Sequence, residues 1–133
     1  MKIMTSISAG ELFDKIAILS LKVQRVCDAD KLKKIGAELE YLTNVRNELF
    51  PSNLQPPDLR RSIAELAVIN QSLWDVEDLI RQHEQRGDFG DRFVQLARSV
   101  YQLNDERCKI KRQIDWLVGS EITEEKFYTS EGA

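Results

Sequence analysis

Histidine occurs once, cysteine twice and proline three times in this chain of 133 residues. His83, Cys27 and Cys108 cannot assemble the four-ligand His/Cys set of a structural zinc site, and the cysteines lie too far apart for a CxxC redox motif. Two reduced, partly buried thiols are the expectation, with no metal and no cofactor. Three prolines and six glycines are few for the many turns of an all-β protein. No apolar run approaches the roughly 18–20 residues that cross a bilayer. The opening "MKIMTSIS" lacks the apolar stretch of a signal peptide. The expected compartment is therefore the cytoplasm, with no membrane partner. Basic charge is also short: 19 Lys and Arg against 22 Asp and Glu leave a formal net charge of −3. That excludes the broad basic footprint of a nucleic-acid binder. No Gly-rich phosphate loop and no Ser/His/Asp or Cys/His set is present.

What is there is helical. The chain is 42% apolar and 31% charged, ordinary for a soluble protein, and its length suits one domain over residues 1–133. A first helix is predicted over 9–26, opened by Ser8 as N-cap with Glu11 three residues on, and striped by Leu12, Ile16, Leu19, Val23 and Val26. "CDAD" is a turn in which Asp28 or Asp30 caps a second helix, 31–49, with the stripe Leu32, Ile35, Leu39, Leu42, Arg46, Leu49. "FPSNLQPP" is a loop rich in breakers. A third helix, 58–86, begins near Pro56–Asp58 and ends at Gly87; a fourth, 89–118, is capped by Asp88 and ended by Gly119. The tail "SEITEEKFYTSEGA" is polar with two aromatics.

Short connections make two antiparallel hairpins, so the fold class is all-α, an antiparallel four-helix bundle of unequal hairpins. At 1.5 Å per residue the first pair spans roughly 28 Å and the second roughly 43–45 Å, an overhang of about 15 Å. If the second turn lies beside the first pair, the overhang holds Leu59, Ile63, Leu66, Ile114, Trp116 and Leu117, a surface too apolar to leave wet. A homodimer through Leu66, Ile114 and Trp116 is the expectation.

The stripes of the long helices fail in the middle. One seam of the third helix reads Leu59, Ile63, Leu66, Asn70, Leu73, Glu77, Ile80; one of the fourth reads Phe93, Ala97, Val100, Asn104, Arg107, Lys111, Ile114, Val118. Folding one on the other puts Asn70 level with Asn104–Arg107, and Glu77 near Arg98 and Tyr101. In the first hairpin Arg46 comes level with Asp14 and Lys15 as a partner for Glu11 or Asp14. Charges taken into a core are costly unless paired and hydrogen-bonded. Two readings follow. In one, Asn70–Asn104 and pairs such as Asp14–Arg46 fix register, while Lys15, Lys22 and Lys111 reach water along their alkyl stems. In the other, Lys15, Lys22, Arg107 and Lys111 frame an anion, Asn70 and Asn104 orient it, and Glu77 is the catalytic acid or base.

Other strings carry less. "GDFG" (87–90) holds the DFG of kinases, but between two helices and without a glycine-rich loop it reads as a C-cap followed by an N-cap. "ELFD" and "EDLI" are similar to the ExxD/ExxE carboxylates of Mg²⁺-dependent all-α nucleotide pyrophosphohydrolases, yet Lys15 beside Asp14 opposes a cation there. His83 lies in a polar run and reads as a surface residue. Trp74 and Trp116 read as packing residues.

As a set, "GELFDKIAIL", "INQSLWDVED", "GDFGDRFVQLARSVYQLNDERCKIKRQI" and "EEKFY" resemble a bacterial family of domains of unknown function of about this length. The resemblance implies a small helical domain and brings no activity and no catalytic residue. The expected function is a small cytoplasmic binding or interaction module whose expected partner is a second copy. The alternative is a small all-α enzyme or binding protein for a phosphorylated or carboxylate metabolite. That alternative is comparable in style to chorismate mutases, which also set cationic side chains inside a helical bundle.

Overall fold

A computed structural model describes residues 1–125; the aromatic residues of the predicted tail lie outside them. The described residues form four α-helices: α1 (Ala9–Arg25), α2 (Ala29–Leu49), α3 (Pro57–Arg86) and α4 (Asp91–Val118), with a short 3-10 turn at Ser52–Leu54 and no strand. This is an all-α four-helix bundle. No helix among them is long and apolar enough to cross a membrane.

The helix ends follow from local chemistry. Ser8 caps α1, its hydroxyl accepting from the Glu11 N–H at 3.1 Å, and Asp28 caps α2 by accepting from the Lys31 N–H at 3.0 Å. Pro57 starts α3 where no N–H is needed. Gly87 and Gly119 close α3 and α4 in the left-handed conformation, each at φ 66°. Only the cap of α4 differs from expectation. Gly90 is the N-cap, and Asp88 lies two residues earlier, where its side chain accepts from the Gly90 N–H at 3.2 Å.

The helices stack in layers, with α1 central. Its Leu12, Ile16 and Leu19 are buried along one stripe, while Phe13 joins Leu59, Leu66 and Ile114 in the core shared with α3 and α4. α2 packs principally on α1 and has no fully buried residue. α1 runs antiparallel to α4, since Gly10 meets Asp115 and Asp14 meets Arg107. It runs parallel to α3, with Asp14 at Asn70 and Arg25 at Asp75.

This placement reverses the conditional expectation for the overhang. The first hairpin lies beside the open ends of α3 and α4, so the overhanging part is the turn end, beyond Asp75. Leu66 and Ile114 are consequently core residues at 0% exposure and cannot form a surface between chains; of that trio only Trp116, 80% exposed, is on the outside. His83 is also buried rather than on the surface. It continues the α4-facing seam Leu59, Ser62, Leu66, Ile69, Leu73, Val76, Ile80, and its Nδ1 lies 3.1 Å from the Asp88 carbonyl oxygen. "GDFG" thus has a fold role: Gly87 turns the chain, Asp88 engages His83, and Phe89 meets Phe93 edge-on at 5.2 Å.

Candidate functional site

α1 brings the polar belt together. Asp14, 1% exposed, is the hub. Its Oδ1 accepts from Asn70 Nδ2 at 2.9 Å and from Arg107 Nε at 2.9 Å, and its Oδ2 accepts from the second arm of the same guanidinium. That is a fork-to-fork pairing, the geometry in which arginine binds a carboxylate most firmly. Arg107 Nη1 also reaches Asn104 Oδ1 at 3.4 Å. Lys111, buried on the next turn of α4, sits 2.7 Å from Glu11 Oε2, 3.3 Å from Glu124 Oε2 and 3.9 Å from Asp14 Oδ2. Asp14, Arg107 and Lys111 therefore each face an opposite charge.

The electrostatics agree with the geometry. Hydrogen bonding to Asp14 holds the Arg107 guanidinium above its ordinary range against the opposing effect of burial, and the charges of Asp14, Glu11 and Glu124 add to it. Burial on its own pulls the Lys111 ammonium down. Its bond to Glu11 and the fields of Asp14, Glu11 and Glu124 outweigh that, so its pKa is raised above 10.5.

A second polar cluster docks the start of α1 against the end of α4. Asp115, fully buried, accepts from the Gly10 N–H at 2.6 Å and from the Glu124 N–H at 2.7 Å. Ser120 Oγ accepts from the Ala9 N–H at 3.2 Å. The Gly10 and Ala9 N–H groups of the first turn are thus satisfied by α4 and by Ser120 just past its end, and the Asp115 carboxylate lies at the positive end of the α1 dipole. Gly10 makes this approach possible, because a methyl group there would collide with the main-chain carbonyl of Lys111.

The predicted site residues separate into three places. Asn70, Glu77, Asn104 and Arg107 line one cleft of about 140 Å³, with Ile18, Leu21, Leu73 and Trp74 as its apolar walls. Glu77 is on its exposed rim. Lys111 lies on the other side of Asp14, away from that cleft. Lys15 pairs with Glu11 at 3.8 Å on the half-exposed flank of α1, and Lys22 sits in its last turn, where a cation suits the helix dipole. The four cations do not converge on one anion position. Arg46, expected to pair with Glu11 or Asp14, instead hydrogen-bonds its neighbour Asn47 at 3.1 Å, because Arg107 has taken Asp14. Among the described residues no group of three or more His, Cys, Asp or Glu side chains comes together as a cation site. Glu11 and Asp14 face cations instead.

Two residues that matter here, Gly10 and Asp115, escape hydrophobic periodicity. Asp115 lies inside the run Ile114–Val118. The available signal was a second seam on α4, Asn104, Cys108, Lys111, Asp115, spaced 4-3-4 and facing α1.

Fold and site together define a small all-α bundle whose interior is braced by buried ion pairs. The chain belongs to a family of unknown function, DUF6165, whose model matches residues 1–132. No curated protein and no solved structure matches it. Several residues of the strings that carried the resemblance, Asp14, Asn70, Arg107 and Lys111 among them, lie in the braced interior.

Proposed function

We propose that the protein is a cytoplasmic, non-catalytic interaction module that receives an amphipathic helix of a partner protein in the open half of the groove between α3 and α4. One observation carries this. The α4 seam that faces α1 continues upward as Tyr101, Ala97 and Val94 with unbroken 3-4 spacing, and α1 ends at Arg25 before covering it. Tyr101 is 55% and Val94 50% exposed. A helix already fills the lower half of the same groove, so the upper half suits the helix-in-groove mode of recognition. The opposite wall carries Glu77, Arg81 and Glu84, a polar edge that would set the direction of the incoming helix.

The alternative, a small anionic ligand held at the polar belt, has the cleft at Asn70, Asn104 and Arg107 in its favour. Against it stands the engagement of Arg107 and Lys111 by carboxylates, which a ligand would have to displace. A screen of helical peptides displayed for binding tests the proposal. Binders whose footprint includes Tyr101 and that are lost in Tyr101→Asp are expected. Phosphate or dicarboxylates raising the melting temperature through Arg107, with no peptide footprint on Tyr101, would overturn it.

A further inference from the structure

The opposite end of the bundle carries a different unsatisfied surface. Residues 1–7 form neither helix nor strand and lie off the protein's own surface: Met1 is fully exposed, Ile3 80% and Met4 82%. In an extended chain, side chains alternate, so Met1, Ile3 and Ile7 share one face. Among the described residues nothing covers this arm.

A cleft of about 280 Å³ lies at the same end, walled by Leu49, Phe50, Leu54, Leu59, Leu117 and Val118. It sits just below the size range of small-molecule pockets, roughly 300–1,000 Å³, and suits a few apolar side chains. Its polar neighbour Gln55 is already occupied, donating to the Phe50 carbonyl oxygen at 2.9 Å. Leu49 and Leu54 are largely exposed, and Trp116 stands on the last turn of α4 beside Leu117. Apolar surface concentrated in this way marks a protein contact. The Phe13–Phe50 ring contact, 5.4 Å between centroids, places the cleft close to the root of the arm.

We infer that two copies of this chain exchange arms: Ile3 and its neighbours from one copy fill the Leu49–Leu54–Leu117 cleft of the other, and the reverse. The chain carries both halves of the contact at one end, so a two-fold axis there closes the exchange with no surface left over. A heterologous partner would satisfy only one half. This inference is independent of the groove at the turn end, which the paired copies would present outward.

Sedimentation equilibrium of the full chain tests it, and a dimer is expected. Ile3→Asp and Leu54→Asp should each raise the dimer dissociation constant at least tenfold while leaving helicity unchanged, because neither residue is in the core. Trans contact is read in a Cys27→Ser background, which removes the exposed native thiol. Chains carrying Ile3→Cys, mixed with longer-tagged chains carrying Leu54→Cys, should oxidise to a crosslinked heterodimer. A monomeric wild type, a dimer indifferent to both aspartate substitutions, or a bond that forms only within one chain bearing both cysteines would each overturn arm exchange. None of these outcomes bears on peptide binding at Tyr101.

Discussion

The two halves of the α3–α4 pair invert the usual relation of inside and outside. Where α1 lies against them, the interior holds a carboxylate, a guanidinium, an ammonium and a carboxamide, all engaged with one another. Where α1 has ended, the exterior shows Val94 and Tyr101, with no third helix among the described residues over them. The covered half bears polarity that is satisfied; the open half bears apolar surface that is not. Buried ion pairs add little net stability but are costly to break, so they act chiefly as a register device. Exposed apolar seams point the other way, to something that binds.

If that contrast is right, substitutions in the two halves should differ in size, and the largest effect belongs to the hub. Asp14→Ala leaves Arg107 without its carboxylate and should lose about 3–5 kcal/mol of stability, read by chemical denaturation. Gly10→Ala comes next. In most helix interiors that change stabilises by roughly 0.5–1 kcal/mol. Here it should destabilise by about 1–3 kcal/mol, since α1 must back away from the Lys111 carbonyl. The sign alone decides whether the close approach is real.

Lys111→Met should cost about 1–3 kcal/mol near neutral pH. Its pH dependence carries a definite sign. The ammonium has a higher pKa folded than unfolded, so its contribution is complete below its ordinary value of 10.5 and is lost as pH rises through the raised folded value. The gap between wild type and Lys111→Met should therefore hold steady from pH 7 to 10 and narrow above that, measured by denaturation at each pH. In the open half, Tyr101→Ser should change stability by less than about 0.5 kcal/mol. A large loss there would mean that the seam is already covered within the chain.

The sequence made the helices readable because their ends depend on neighbours. Ser8, Asp28, Gly87 and Gly119 act within one turn, and all four stand where capping chemistry puts them. It also brought Asn70 level with Asn104 and Arg107, because hairpin geometry fixes height. It failed where the partner came from across the fold. Asp14 was matched to Arg46 in its own hairpin, whereas its partner stands 93 positions away on α4. The polar seams of α3 and α4 were read as facing each other, but their polar middle faces α1, which supplies Asp14 between them. His83 was misjudged from its polar neighbours, although the 3-4 spacing from Leu59 upward leads to it. Which end of the long pair the first hairpin covers depends on Gly10 and Asp115, and neither leaves a mark in hydrophobic periodicity.

The most direct test is a double-mutant cycle on Asp14 and Arg107. Asp14→Leu and Arg107→Met each strand one buried partner, while the double variant removes both. If the pair is a register device, each single variant loses stability and the double loses less than the sum of the two, with a coupling of about 2–3 kcal/mol. If Arg107→Met alone is as stable as wild type, the guanidinium is not held by the fold, and the account of a braced interior is wrong.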